Sequence, residues 1–287
     1  MTESNKQEFR PAGRNIKDSF SKLGPRVLVA FLGIPLMLAA VYLGGWWLWA
    51  LVLLISLLGL LEYYGLASVK GYAPLKWWGL LGGILLLLSF SLVSDLMAGL
   101  TVGWLLLLLG WTAIKARIEN SLAGLAATIF GIIYVPGLLG HMILLRNYGQ
   151  APGFKLLTLA MALVWAGDTG AYFTGLIWGK RPLAPKISPQ KSIEGLLGGA
   201  LFTVTASVLL SLYWVKELGL WQALIIGLGV AFFGTLGDLF ESLFKRDAGV
   251  KDSGNLLPGH GGVLDRFDSM MFALPFVYWY CRIFVLG

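Results

Sequence analysis

Asp238, Glu241, Ser242 and Lys245 stand at positions i, i+3, i+4 and i+7 of one apolar run, "GTLGDLFESLFKRD". On a helix this spacing puts all four on one face. An ion pair between Glu241 and Lys245 on a solvated helix end accounts for half of the stripe and leaves Asp238 without a reason. Further along, Asp265 and Asp268 flank Arg266. Carboxylates in this number offer the hard oxygen ligands that Mg²⁺ takes together with waters and phosphate oxygens. Between the two groups runs "PGHGG", residues 258–262, which includes His260, Gly261 and Gly262. Glycines let a backbone approach a ligand closely, and turns of this kind present N–H groups to phosphate. Lys245, Arg246, Lys251 and Arg266 add the positive charge that a triphosphate requires.

A second polar stretch, "GKRPLAPKISPQKSIEGLLGG" from residue 179, has the same character. Lys186, Ser188, Lys191 and Glu194 stand among three prolines, which stiffen the loop. Ser192 to Gly195 also reads as an ordinary helix start capped by Ser192, and capping and substrate binding are compatible. Asp168, in "VWAGDTGAY", falls deep in an apolar run, where an acid is costly; a polar site inside a bundle is the expectation. Glu62, in "LLEYYGL", reads as readily as an interfacial acid beside Tyr63 and Tyr64 as a functional one. His141, within another apolar run, reads as a hydrogen-bonded interior residue.

The elements that must position these residues are membrane helices. Of the 287 residues, 57% are hydrophobic and 13% charged, with a mean hydropathy of +0.76. A soluble globule carries roughly 25% charged residues, so this chain cannot cover a water-facing surface. A bilayer core about 30 Å thick takes about 20 apolar residues per helix. Nine segments meet that need: 27–44, 46–66, 77–94, 96–114, 122–144, 156–178, 195–214, 220–240 and 269–286. The predicted fold is all-α, a polytopic transmembrane helix bundle of about nine spans.

With a cytoplasmic N-terminus, all of the 22 Lys and Arg except Arg146, Lys155, Lys216 and Arg282 fall on the inner side, as the positive-inside rule requires. Loops 179–194 and 241–268 then share the cytoplasmic face. The formal net charge of +7 reads as orientation charge, and no nucleic-acid partner is expected. The chain divides into a cytoplasmic arm, residues 1–25, an N-terminal membrane bundle, 26–150, and a C-terminal catalytic membrane region, 151–287. The polar arm runs straight into apolar sequence, which argues against a cleaved secretory signal. Cys281 is the sole cysteine, so no internal disulfide or zinc cluster is expected. The 38 glycines fall largely in the spans and read as close helix packing, which permits a homodimer.

From Ser242 to Asp268 the pattern is Ser, two residues, Lys-Arg, four residues, Lys-Asp-Ser-Gly, three residues, Pro-Gly-His-Gly-Gly, two residues, Asp-Arg, one residue, Asp. This resembles the defining motif of the phosphatidate cytidylyltransferase, or CDP-diacylglycerol synthase, family, with each fixed position filled. "GDTGAYFTGLIWGK" and "ISPQKSIEG" resemble its other polar segments, with Gln190 where the family often has Lys and Ser192 where it often has Thr. The first half resembles the family in hydropathy and at Arg26 and Glu62.

The resemblance implies that CTP and phosphatidate give CDP-diacylglycerol and pyrophosphate, with Mg²⁺ and room for a monovalent cation such as K⁺. It implies a bacterial inner-membrane location. By the same likeness Asp238, Asp265 and Asp268 would hold metal, and Lys245, Arg246, Lys251, His260 and Arg266 would meet the triphosphate or the leaving pyrophosphate. Lys186, Ser188 and Lys191 would hold the lipid phosphate or the nucleotide, and Asp168, Glu194, Glu241, Ser242, Gly261 and Gly262 complete the substrate site. An ion-coupled transporter is the rival class, with Asp168, Asp238 and Glu241 as a relay. Transporters more often show related halves or broken helices; no half-to-half relation is evident, and the charge gathers at a membrane surface. Another lipid-phosphate enzyme, such as a CDP-archaeol synthase or a polyprenol kinase, is the second alternative, and the full motif after Ser242 speaks against it.

Overall fold

The computed structural model describes residues 23–92, 95–115, 119–254, 256 and 261–285. The arm up to residue 22, Ser94 of the corner before Asp95, and Pro258, Gly259 and His260 lie outside the described residues. The first half contains α1 (Leu23–Leu43), α2 (Gly45–Val69), α3 (Lys76–Ser91), α4 (Asp95–Lys115) and α5 (Ser121–Ile132). A π-helical turn (Ile133–Gly137) and a short α6 (His141–Asn147) prolong α5. The second half holds α7 (Gln150–Trp178), strands β1 (Pro182–Ala184) and β2 (Ser188–Ser192), α8 (Ile193–Tyr213), α9 (Leu220–Asp247) and α10 (Leu264–Phe284).

The architecture is nearly all-α. Among the described residues six helical stretches are long and apolar enough to cross a membrane: Gly45–Val69, Asp95–Lys115, Ser121–Asn147, Gly153–Trp178, Ile193–Tyr213 and Leu220–Asp247. Two shorter apolar lengths, Phe31–Leu43 and Lys76–Ser91, belong to α1 and α3. Helix α10 carries Asp265, Arg266 and Asp268 in its first turns. Residues 179–194, expected as a stiff loop, form an antiparallel two-stranded hairpin instead.

Small residues bring the site-bearing helices together. Gly195, Gly198 and Gly199 of α8 face Ala171, Gly175, Thr174 and Gly167 of α7 so closely that an added Cβ would press on them. On α9, Gly237 lies against the backbone carbonyl of Asp268 and Gly229 against Phe276 of α10. Without side chains in the way, helix backbones pack at short range and gain dispersion contacts that lipid cannot offer. The N-terminal helices are pinned by polar links. Tyr64 Oη donates to the carbonyl of Thr128 at 2.9 Å, and Thr128 Oγ1 accepts from the N–H of Leu75 at 2.8 Å. Arg146 donates to the carbonyls of Val41 (2.7 Å) and Tyr42 (3.2 Å), satisfying acceptors that the end of α1 leaves open.

The π-helical turn has a local cause. Pro136 lies inside it; a proline lacks the N–H of the regular ladder, and its ring clashes with the carbonyl four residues back. One extra residue in the turn relieves that clash while the helix continues.

Candidate active site

The C-terminal turns of α9 carry the predicted stripe, and they are buried rather than solvated. Glu241 is 1% exposed and Lys245 9%. Lys245 Nζ donates to Glu241 Oε2 at 2.6 Å and to Asp265 Oδ1 at 2.5 Å. The i,i+4 ion pair is therefore present, but as part of a three-membered buried group. Burying an unpaired charge costs several kcal/mol; here each acid is met by the shared ammonium.

Asp265 is more fully engaged than its sequence position suggests. Its Oδ2 accepts from the N–H of Ser253 (3.0 Å), the hydroxyl of Ser253 (2.9 Å) and the N–H of Gly262 (2.8 Å). Ser253 Oγ also lies 3.0 Å from Glu62 Oε2, and the Glu62 carboxylate accepts from the N–H groups of Val263 and Leu264, both at 2.9 Å. A helix leaves its first N–H groups without partners, and a negative charge there is favoured by the helix dipole. Glu62 supplies both from α2. Sequence reasoning left this residue undecided; the available signal was an acid in an apolar run, which must find donors somewhere.

The same network explains two glycines. Gly261 has φ +79°, a left-handed backbone, and a Cβ there would meet Asp265 Oδ2 at 2.8 Å. A Cβ on Gly262 would strike Ser253 Oγ and the Glu62 carboxylate. Both are needed for close approach to carboxylates of the protein itself.

A second group lies beside the first. Lys191 of β2 forms an ion pair with Asp238 Oδ2, and Ser242 Oγ is 3.5 Å from Asp238 Oδ1. Asp268 lies within electrostatic reach of Asp238, Glu241 and Asp168. Asp168 of α7 in turn feels Asp238, Lys191 and Arg266. Asp168, Asp238 and Asp268, from three helices, thus lie within electrostatic range of one another, and the charges of Lys191 and Arg266 act on Asp168. Asp268 Oδ1 accepts from the N–H of Ser269 at 2.6 Å.

The hairpin and the turn after α9 are braced from the rim. Glu194 accepts from the N–H groups of Lys180 (3.0 Å) and Arg181 (3.1 Å) and from Arg181 Nε (2.9 Å), closing the hairpin loop. Ser192 caps α8 by accepting from the N–H of Gly195 at 3.1 Å. Arg246 Nε donates to the carbonyl of Ile187 and Nη1 to that of Val250, both at 3.2 Å. Lys186 and Lys251 are exposed and Ser188 is half-buried. Nearby, Lys70 at the end of α2 donates to Asp247 at 3.0 Å, and that hydrogen bond holds the Lys70 ammonium above its ordinary range.

Asp238, Asp268 and Asp168 present an oxygen-only donor set, the chemistry that suits Mg²⁺. Among the described residues no three metal-ligating side chains close on one point. Asp238 is paired with Lys191, and Asp265 could ligate an ion only by giving up Lys245 or its backbone donors.

This arrangement, a buried carboxylate–ammonium group beside a cluster of acids and bases at one end of apolar helices, suits a membrane enzyme that handles phosphate. A profile of the Cytidylyltransferase family matches residues 24–284, and the chain belongs to that family. It is 35% identical over 253 residues to a phosphatidate cytidylyltransferase of Staphylococcus saprophyticus, covering 87% of this chain and 95% of that protein. The phosphatidate cytidylyltransferase of Synechocystis is 35% identical over 283 residues, covering 89% and 95%. That of Bacillus subtilis is 43% identical over 152 residues, covering 53% and 56%. The apolar helices make the chain an integral membrane protein.

Proposed function

We propose that this protein transfers the cytidylyl group of CTP to phosphatidate, giving CDP-diacylglycerol and pyrophosphate for phospholipid synthesis. What carries the reading is the family match along nearly the whole chain, joined to a phosphate-binding set of side chains at one end of the helices. The Staphylococcus saprophyticus and Synechocystis relatives, which overlap nearly the whole chain, are phosphatidate cytidylyltransferases. The transporter alternative is not favoured.

A phosphate oxygen of phosphatidate attacks the α-phosphorus of CTP; the bond from that phosphorus to the bridging oxygen of the β-phosphate breaks, and pyrophosphate leaves. The attacking phosphate is already anionic, so no general base is needed. The barrier is the meeting of two anions, and it is lowered by positioning and by fixed positive charge. An ammonium has three N–H donors. Lys245 directs two of them at Glu241 and Asp265, which leaves the third for a ligand phosphate in a fixed direction. By the family motif Arg246, Lys251, Arg266 and His260 would meet the triphosphate and pyrophosphate, and Lys186, Ser188 and Lys191 would hold phosphate from the hairpin side.

Asp238 and Asp268, with Asp265 if it releases its partners, are the residues to hold Mg²⁺, and a monovalent cation is compatible with Asp168 nearby. A bound divalent ion would neutralise phosphate charge in this site. Nine crossings with a cytoplasmic N-terminus agree with the Lys and Arg distribution. They put the site on the cytoplasmic side of a bacterial inner membrane, where CTP is found. A homodimer is compatible with the Gly-rich helix faces.

The test is incorporation of radiolabelled CTP into chloroform-soluble lipid by purified protein in detergent. The expected label requires phosphatidate and Mg²⁺ and collapses in Asp268→Asn. Folded wild type that labels no lipid would overturn the assignment.

A further inference from the structure

The π-helical turn Ile133–Gly137 lies in the half of the chain that the sequence motifs do not reach, yet it sets a buried phenol against Phe240 and Phe244, which flank Glu241 on α9. Tyr134 is 3% exposed. Its ring packs among Tyr63, Phe130, Phe240, Phe244 and Phe272 at centroid distances from 5.6 to 6.5 Å. Five aromatic neighbours fix the aim of its hydroxyl. Among the described residues that hydroxyl has no hydrogen-bond partner, and neither has Oε1 of Glu241. The two groups are electrostatic neighbours, and the Asp268 carboxylate is within the same reach.

A buried hydroxyl without a partner is destabilising, and phenylalanine would fill the same aromatic space without that penalty. A buried donor that lacks an acceptor and a buried acceptor that lacks a donor therefore lie within electrostatic reach of each other. A phenol donates and a carboxylate accepts. A single buried water between them would find Tyr134, Glu241 and Asp268, the number of polar partners such waters commonly have.

We infer that Tyr134 is a positioning residue for the transfer reaction: its hydroxyl donates to Oε1 of Glu241, directly or through one water, and holds that carboxylate where Oε2 grips Lys245. The inference rests on the function proposed above. Glu241 is then fixed through both oxygens and Lys245 through two acids, so the direction of the remaining ammonium N–H is set by a chain that begins in the π-helical turn after α5. The wide turn made by Pro136 gains a purpose in this arrangement, in keeping with the frequent placing of π-helical turns at functional sites.

Tyr134→Phe removes one oxygen and keeps the ring. The expected result is a kcat for lipid labelling lower by roughly tenfold, with KM for CTP and for phosphatidate within about twofold and a thermal midpoint equal to or above wild type. A hydroxyl with only a structural role would leave kcat untouched, or would lower activity and thermal midpoint together; either result overturns the inference. The same substitution in a Glu241→Asp background reads the route, because residues that act as one unit are not additive. A further loss below about twofold supports action through Glu241, and an undiminished loss overturns it. Inactive wild type would instead count against the proposed function, whereas active wild type with fully active Tyr134→Phe removes only the role of Tyr134.

Discussion

The carboxylate of Glu62 accepts a hydrogen bond from the backbone N–H of Val263 at 2.9 Å, across 201 residues of sequence. With the parallel bond to Leu264 and the approach of Ser253, it makes α2 the cap of α10 and the support of the loop that presents Asp265. Glu62→Ala would leave two backbone donors and a hydroxyl without that acceptor. The expected destabilisation is about 3 kcal/mol, seen as a clear fall in the thermal midpoint in detergent. Glu62→Gln, which keeps one acceptor oxygen, should lose less. An unchanged midpoint in both would show that the cap carries no weight.

Lys245→Met leaves Glu241 and Asp265 facing each other without their cation. Removing one member of a buried charged group costs about 3–5 kcal/mol, and activity should fall by at least about 100-fold. Lys245→Arg should not restore it, since a planar guanidinium cannot take the place of a compact ammonium between two oxygens held this closely. Steady-state rates of both variants, beside their melting curves, check this; near-wild-type turnover of the arginine variant would contradict the geometry.

The ion pair between Lys191 and Asp238 competes with any cation that Asp238 holds. Lys191→Ala should therefore lower the Mg²⁺ concentration for half-maximal rate while reducing kcat, and Asp238→Asn should raise that concentration. A Mg²⁺ titration of initial rate separates them. Movement of both variants in the same direction would remove Asp238 from the metal site.

Gly262→Ala puts a methyl group into the space of Ser253 Oγ and the Glu62 carboxylate. Because the obstacle is a bonded network rather than a flexible side chain, the expected loss is about 1–3 kcal/mol, with impaired activity. Equal melting temperature and rate in Gly262→Ala would mean that the loop has room it does not show.

The helical spacing of Asp238, Glu241, Ser242 and Lys245 was legible in sequence because periodicity reports which side chains share a face. It did not report what covers that face, and the expected solvated end is the buried pair with Asp265. Glu62 and Tyr134 were harder to read, because their partners lie on distant helices and spacing holds no information about such contacts. The hairpin escaped notice for another reason. Its strands have three and five residues, too short for alternation to appear among prolines. Gly261 and Gly262 announce a close approach in the sequence, but a missing Cβ does not name the neighbours, which in the structure include Asp265 and Glu62.

The link from Glu62 to Ser253 and the start of α10 also bears on how this chain can change over generations. A carboxylate at position 62 and a hydroxyl at position 253 lie 3.0 Å apart in one network with Asp265, so a change at either is felt at the other. Related chains that have lost one should carry a replacement acceptor or donor at the other, and chimaeras joining the first half of one such lineage to the second half of another should fail until both positions are exchanged together.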